Sequence, residues 1–119
     1  MWYNFVATTA DTVIDAPSVT TTNAIVATQD ICPKGWRLPT QDESQALASA
    51  IGSSPTIFNP VHGGFYDNRT VGNVSDYGRW WSSTANTGQR RYNLRYTNSS
   101  MDTGHASRAN AFYVRCIAK

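Results

Sequence analysis

Apolar residues recur at helical spacing in the middle of the chain, just after a signal for a helix start. Thr40 and Glu43 have the spacing of a capping box, in which each side chain accepts a hydrogen bond from the backbone N–H of the other residue. Gly52 suits the left-handed conformation that ends many helices. The pattern therefore predicts a helix over residues 41–51, whose apolar face consists of Ala46, Leu47, Ala50 and Ile51.

Near the end of the chain, bulky residues recur at every second position instead of at helical spacing. Bulky residues at 92, 94 and 96, and again at 112, 114 and 116, alternate with mostly polar residues. Such alternation is typical of antiparallel strands that have one face on the core and one in water. The side chains expected to face inward are Tyr92, Leu94, Tyr96, Phe112, Val114 and Cys116. Those expected to face water are Arg91, Asn93 and Arg95.

The rest of the chain shows a weaker pattern. Residues 2–7 alternate bulky and small side chains, which suits a strand that pairs near residues 111–118. Three longer stretches have no helical period and are rich in Gly, Pro, Thr or Asn, so we expect loops there. These stretches are residues 8–29, 53–79 and 97–110, the last anchored by Met101.

A chain of 119 residues with 40% hydrophobic residues suits one compact domain. The elements predict an α+β fold with a small twisted antiparallel sheet, one clear helix and long irregular loops. The sequence contains no signal peptide and no apolar run long enough for a membrane span, and a strand pattern follows Met1 directly. We therefore expect residues 1–119 to be a single ligand-binding domain excised from a longer protein, with no membrane insertion by this segment.

Charge is unevenly distributed along the chain. Residues 1–76 contain seven acidic and three basic residues, whereas residues 77–119 contain one acidic and seven basic residues. The basic end suits an anionic partner, but a solvated surface explains the same charges. Charged residues make up only 15% of the chain. The Thr, Ser, Asn and Gly that replace them are typical of secreted or surface-displayed β-rich domains.

The chain has two cysteines, Cys32 and Cys116. One disulfide between them would close a long loop and contribute roughly 4–5 kcal/mol in the loop-entropy model. Two buried thiols that pack as small hydrophobic groups are the alternative. No CxxC motif or Cys/His cluster accompanies them, which argues against a structural zinc site.

Four motifs, in this order along the chain, resemble the Fibrobacter-type major paralogous domain. They are Ile31-Cys32-Pro33-Lys34-Gly35-Trp36-Arg37-Leu38-Pro39-Thr40, then Phe58 followed by Gly63-Gly64-Phe65, then Trp81-Ser82-Ser83-Thr84, and last Phe112-Tyr113-Val114-Arg115-Cys116. That family is similar to the variable proteins of diversity-generating retroelements, which have a C-type-lectin-like fold related to formylglycine-generating enzymes. The resemblance covers about residues 31–119, and residues 2–6 look like the family's opening strand.

The resemblance implies structural roles for several residues. It places the aromatic side chains of Trp36, Trp81 and Phe112 in the core. It also implies that Arg37 and Arg115 are buried or half-buried arginines with a structural role. Cys32 and Cys116 both fall in motifs that the family places in the core, so they should lie close together, and a disulfide is favoured. The chain departs from the family at Ala111, where a glycine is usual, and in residues 8–29, which lack the pattern of a second helix.

In the retroelement proteins, adenine-directed mutagenesis of AAY codons diversifies the stretch before the C-terminus, where exposed side chains bind a target. This mutagenesis yields no Lys, Glu, Gln, Met or Trp. Between Thr84 and Arg115 only Gln89 and Met101 fall outside the accessible residues, although Lys and Glu are ordinarily common. A polar β-rich surface would show the same composition, so both interpretations stand.

Together these patterns predict a ligand-binding, most simply protein-binding, display domain with a hypervariable surface on a cell or virion. Large amphipathic side chains dominate recognition, which makes Tyr113 and the arginines the expected anchors. A structural subunit of a surface appendage is the alternative. A nucleic-acid-binding module is a further one, because arginines near Tyr92 and Tyr96 suit stacking with phosphate contacts. The residues predicted to form the binding surface are Asn86, Gln89, Arg91, Asn93, Arg95, Asn98, Asp102, Thr103, His105, Ser107, Arg108, Asn110 and Tyr113.

No catalytic motif accompanies this surface. His62 and His105 lie far apart in sequence and near no cysteine, and no GxSxG motif occurs. The EPN, QPD and WND strings of Ca²⁺-dependent sugar-binding lectins are absent as well. Because both cysteines fall in structural motifs, they do not resemble the copper site of formylglycine-generating relatives. We therefore expect no enzymatic activity, no metal and no cofactor.

Overall fold

A computed structural model describes residues 3–9, 26–52, 65–67, 70–72, 77–86, 90–97 and 100–119. These residues form the predicted α+β arrangement, in which helices pack on small antiparallel sheets. The described helices are α1 (Phe5–Thr9) and α2 (Gln41–Ile51). The described strands are β1 (Tyr3–Asn4), β2 (Trp36–Arg37), β3 (Phe65–Asp67), β4 (Thr70–Gly72), β5 (Tyr77–Ala85), β6 (Arg90–Thr97), β7 (Met101–Ser107), β8 (Ala111–Phe112) and β9 (Ile117–Ala118).

Within the described residues the strands form three sheets, where the sequence predicted one. Strands β5, β6 and β7 make a three-stranded sheet in that order, β1, β8, β3 and β4 make a second, and β2 pairs with β9. Every pair is antiparallel, with Tyr3 opposite Phe112 and Trp36 opposite Ala118. The expected pairing of the N-terminal strand with the region of residues 111–118 is therefore confirmed for β1 and β8.

The strand predicted over residues 2–7 is too long. The chain turns into α1 at Phe5, because the Asn4 side chain accepts a hydrogen bond of 2.8 Å from the N–H of Ala7, as a helix-capping residue does. The hydroxyls of Thr8 and Thr9 donate to backbone carbonyls one turn earlier, which satisfies these polar groups although both residues are buried. The short helix thereby places the fully buried ring of Phe5 against the sheet.

Helix α2 is the predicted helix, with the same bounds. The capping box is present: the hydroxyl of Thr40 accepts from the Glu43 N–H at 3.3 Å, and the Glu43 carboxylate accepts from the Thr40 N–H at 2.8 Å. Gly52 ends the helix with a φ of 58°, and its N–H donates to the Ala48 carbonyl. Glu43 also binds both terminal nitrogens of Arg37, at 2.5 and 2.8 Å, so the helix start is tied to β2.

The pKa of Glu43 is lowered from 4.5 to about 2, mainly because the carboxylate accepts hydrogen bonds from the Arg37 guanidinium. A carboxyl whose pKa is lower in the folded state stabilises the fold above its unfolded pKa, and this contribution is lost as the pH falls through the folded pKa. We therefore expect the free energy of unfolding to decline between about pH 4.5 and 2 less steeply in a Glu43→Gln variant than in the wild type. Both partners are more than a third exposed, so the loss at neutral pH should be about 1 kcal/mol or less.

Urea denaturation at a series of pH values measures this effect. Asp42→Asn is the control, because Asp42 carries the same charge in the same helical turn and is exposed. A Glu43→Gln variant that follows the wild-type pH curve down to pH 2 would contradict the assignment of the acid-sensitive contribution to Glu43.

The sheet of β5, β6 and β7 is covered on both faces. Trp80 and Trp81 are neighbours in β5 and therefore point to opposite faces, and both are buried. One core cluster consists of Phe5, Trp81, Ala85, Ala106 and Phe112. The other consists of Ala48, Trp80, Leu94, Tyr96 and Met101, with Leu47 and Ile51 of α2 packed against it. The sheet is thus the middle layer of the described part of the fold.

Residues 101–107, predicted as part of a loop, form strand β7. All seven pair with β6 in unbroken register, from Met101 opposite Tyr96 to Ser107 opposite Arg90. Met101 is buried and anchors the segment as expected. Conversely, the strand predicted through residues 112–116 is shorter, because β8 ends at Phe112 and β9 begins at Ile117.

Cys32 and Cys116 are bonded to each other, with their Cα atoms 5.9 Å apart. The bond lies beside the β2–β9 pair, where the N–H of Lys119 donates to the carbonyl of Gly35 at 3.0 Å. The C-terminus is therefore fastened to the segment that precedes α2.

Two residues that the resemblance placed inside lie further out. Trp36 is 47% exposed, because β2 pairs with β9 in a two-stranded ribbon that no described core cluster includes. Arg115 is also exposed, whereas Arg37 is half-buried as expected. Trp81 and Phe112 are fully buried, in agreement with the prediction. As for the two described helices, neither has the length and apolar character needed to cross a membrane.

Candidate ligand-binding cleft

A row of three charged residues crosses one face of the central sheet. The antiparallel register places Arg79 of β5 opposite Arg95 of β6, and Arg95 opposite Asp102 of β7. The Arg95 guanidinium donates to both carboxylate oxygens of Asp102, at 2.9 and 2.6 Å. The Arg79 guanidinium lies 5.5 Å from the centre of the Phe112 ring, in a cation–π contact.

A cleft of about 370 Å³ lies beside this row, along β7. Arg90 lies at its edge and donates to His105 twice, from Nε to the ring Nδ1 at 2.5 Å and from the terminal nitrogen to the backbone carbonyl at 2.9 Å. The cleft lining thus includes three arginines, and residues from both faces of β7 contribute to it. Its lining residues are Arg79, Arg90, Arg95, Gly104, His105, Ala106, Ser107 and Asn110.

Part of the predicted binding surface comes together in this cleft. Arg95, His105, Ser107 and Asn110 line it. Asp102 is exposed and adjoins it through the ion pair with Arg95. The structure therefore brings these five predicted residues into one neighbourhood on strands β6 and β7 and on the turn that follows them.

Arg91 and Asn93 were predicted to face water, and this is wrong: both are fully buried. They share a face of the sheet with Trp81 and Ala106, and α1 covers that face. The Arg91 guanidinium lies 5.2 Å from the centre of the Phe5 ring, in a cation–π contact. The prediction failed because it assumed that the whole polar face of β6 is solvated, whereas the part that contains Arg91 and Asn93 is covered.

The other predicted residues lie outside the cleft lining. The hydroxyl of Thr103 bonds to the side chains of Gln41 and Gln45 in α2. Tyr113 is half-buried and packs against the cluster around Trp80, so it is not the exposed anchor that was expected. Asn86 and Arg108 are half-buried beside the cleft strands, with Asn86 N–H donating to the Arg90 carbonyl and the Arg108 carbonyl accepting from Phe5 N–H. Gln89 and Asn98 lie outside the described residues.

Four lining residues were not predicted from the sequence: Arg79, Arg90, Gly104 and Ala106. Arg79 was missed because its position depends on the pairing register between β5 and β6, which an irregularity between Trp81 and Ala85 shifts. Gly104 was missed because β7 was not predicted. The sequence did contain one indication of Arg79, because this residue lies in the last third of the chain, where basic residues outnumber acidic ones.

Within the described ranges no group of three or more His, Cys, Asp or Glu side chains is arranged to hold a metal ion. The groups that line the cleft are cationic and hydrogen-bonding side chains from arginine, histidine, serine and asparagine, together with Gly104 and Ala106. Comparisons of the chain with protein-family models, with curated proteins and with solved structures found no match.

Proposed function

We propose that this chain is a non-catalytic recognition domain that binds a partner protein through the arginine-lined cleft along β7. The observation that carries the proposal is the meeting of Arg79, Arg90 and Arg95 around one open cleft. Arginine is among the residues that dominate binding energy at protein interfaces, because it combines charge, several donors and a large contact area.

Charge complementarity defines the partner more closely. The basic side chains that line the cleft are three arginines and His105. The carboxylate of Asp102, which lies beside the cleft, already accepts hydrogen bonds from Arg95. A partner that presents Asp or Glu side chains gains bidentate hydrogen bonds to guanidinium groups. The proposed partner surface is therefore acidic.

A nucleic acid would also supply anionic groups, but the aromatic residues of β6 do not suit stacking with bases. Tyr96 is 1% exposed and stacks on Trp80, with ring centres 5.4 Å apart. Tyr92 is half-buried and its ring meets that of His105 edge to face. Single-stranded nucleic acids are held largely by exposed aromatic platforms, so this arrangement favours a protein partner.

The C-type-lectin-like fold is part of the proposal. It is supported by the pairing of β1 with β8 and of β2 with β9, which brings both ends of the chain together, and by the disulfide between the first and the last motif. The variable proteins of diversity-generating retroelements display a variable C-terminal surface on such a scaffold. We propose that residues 86–113 are diversified in the same way and that the domain is displayed on a cell or virion surface.

The binding proposal is tested with the double variant Arg90→Ala/His105→Ala. Both residues are exposed, so the fold should persist. A protein retained from surface extracts by the immobilised wild type should be identified by mass spectrometry and its affinity measured by biolayer interferometry. Loss of these two contacts should weaken that affinity by about ten- to a hundredfold.

Lys34→Ala is the matched control, because Lys34 is an exposed cation outside the cleft. It should bind as the wild type does. Equal affinity of all three proteins would refute the cleft as the binding site. Retention of DNA that falls steeply with salt, without a protein partner, would favour nucleic-acid binding instead.

The retroelement part of the proposal is tested separately on the coding DNA. We expect a near-identical downstream copy of the 3′ end that differs from the gene at adenines. A genomic neighbourhood without such a copy and without a reverse transcriptase would remove diversification from the proposal and leave the binding cleft untouched.

A further inference from the structure

A second cavity, of about 230 Å³, lies on the other side of the central sheet, beneath helix α2. Its wall is almost entirely apolar and consists mainly of Pro39, Leu47, Trp80, Leu94 and Ile117. Trp80 and Leu94 are directly opposite each other in β5 and β6, so they form its floor on the face remote from Arg91 and Asn93. The cavity is therefore separate from the arginine-lined cleft.

Ser44 of α2 also lines this cavity and is 2% exposed. A serine inside a helix commonly donates to the carbonyl four residues earlier. Here the Thr40 carbonyl accepts the backbone N–H of Ser44 at 2.9 Å, and the Ser44 hydroxyl has no hydrogen-bond partner among the described residues. An unsatisfied buried hydroxyl is unfavourable, and a polar group placed in the cavity beside it would remove that cost.

The remaining polar groups at the cavity indicate a neutral occupant. Glu43 and Arg115 both lie at its lining and carry opposite charges. The Glu43 carboxylate is already engaged by Arg37 and by the backbone of Thr40. Arg115 is exposed, so solvent screens its charge. An ionic group would therefore lose its hydration against the apolar wall without gaining a strong counter-charge.

The size of the cavity sets the size of the occupant. An apolar cavity of about 150 Å³ accepts benzene in a protein interior, whereas drug-sized ligands occupy about 300–1,000 Å³. A volume of 230 Å³ lies between these limits and suits a single substituted ring. We propose that this cavity binds a small neutral ring-bearing molecule whose one polar group hydrogen-bonds to the hydroxyl of Ser44.

Phenol and benzene are the probes, because they differ only in a hydroxyl group. Each is titrated into the isotopically labelled protein in the millimolar range, and backbone amide shifts are followed by NMR. Both should shift the amides of Ser44, Leu47 and Leu94, and phenol should bind about two- to tenfold more tightly, as expected for one neutral hydrogen bond.

Two variants complete the test. Ser44→Ala should reduce the affinity for phenol to that for benzene, and Leu47→Trp should abolish binding of both by filling the cavity. Ser49→Ala is the control, since Ser49 is exposed on the same helix. An absence of shifts at the cavity in the folded wild type would overturn the proposal, and so would a Ser44→Ala variant that still prefers phenol. Because neither probe carries charge, failure here leaves the arginine-lined cleft unaffected.

Discussion

Replacing Cys32 and Cys116 together with alanine is expected to lower the free energy of unfolding by about 4.5 kcal/mol. The two cysteines are 84 residues apart, so their bond closes most of the chain into one loop. In the loop-entropy model such a crosslink removes about this much conformational freedom from the unfolded state. For a domain of this size the corresponding fall in melting temperature is roughly 15–20 °C.

Thermal and urea denaturation, each with and without a reductant, measure this effect. The wild type should lose stability when reduced, whereas the double variant should show the same lower stability under both conditions. If the oxidised wild type and the variant unfolded at the same urea concentration, the disulfide would contribute nothing to stability. The β2–β9 ribbon should exchange its amide protons faster in the variant, because the bond fastens its two strands beside each other.

The parts of the fold that were predicted correctly depend on neighbours in sequence. Helix α2 was predicted with its bounds because Thr40 and Glu43 cap it through contacts three residues apart. The inward faces of Leu94 and Tyr96 followed from the alternation within one strand. Such signals are local. The apolar face of α2 was predicted correctly only for Leu47 and Ile51, because Ala46 and Ala50 are exposed and the buried residues of the helix are Ser44 and Ala48.

The parts that were predicted wrongly depend on pairing between distant segments. Arg91 and Asn93 are buried because α1, more than eighty residues earlier in the chain, covers their face of the sheet. The alternation of bulky and polar residues in β6 does not distinguish a strand that is covered on one face from a strand that is covered on both faces. Strand β7 has a weak β-propensity of its own, with Asp102, Gly104 and Ala106 in it, and it forms through its pairing with β6.

The candidate cleft shows the same division. His105, Ser107 and Asn110 were predicted from their polar character near the C-terminus, and they line the cleft. Arg79 joins them only through the register of β5 against β6, which places it opposite Arg95. The cavity beneath α2 had no sequence signal, since Ser44 lies one residue after the capping glutamate and looks like an ordinary polar position of the first turn.

Trp81→Ala should have the other large effect, a loss of about 3–5 kcal/mol in the free energy of unfolding. The ring is fully buried and meets Phe5 at 5.4 Å and Phe112 at 4.2 Å between ring centres. Removing a buried tryptophan leaves a cavity whose lining cannot fully collapse, and losses of this size are typical. Its indole N–H also donates to the carbonyl of Tyr3 at 2.7 Å, so the variant loses a contact that holds β1 in place.

Trp36→Ala is the matched control, because it removes the same side chain from a position that is 47% exposed. Its expected loss is below about 1.5 kcal/mol, in proportion to the smaller area that the ring buries. Urea denaturation followed by far-ultraviolet circular dichroism compares the two variants without relying on tryptophan fluorescence. A Trp36→Ala variant destabilised as much as Trp81→Ala would show that the β2–β9 ribbon belongs to the core. A large loss for Trp81→Ala alone would show that the packing of Phe5, Trp81 and Phe112 is what holds the N-terminal segment on the sheet. These three rings join α1, β5 and β8 across one face of the sheet.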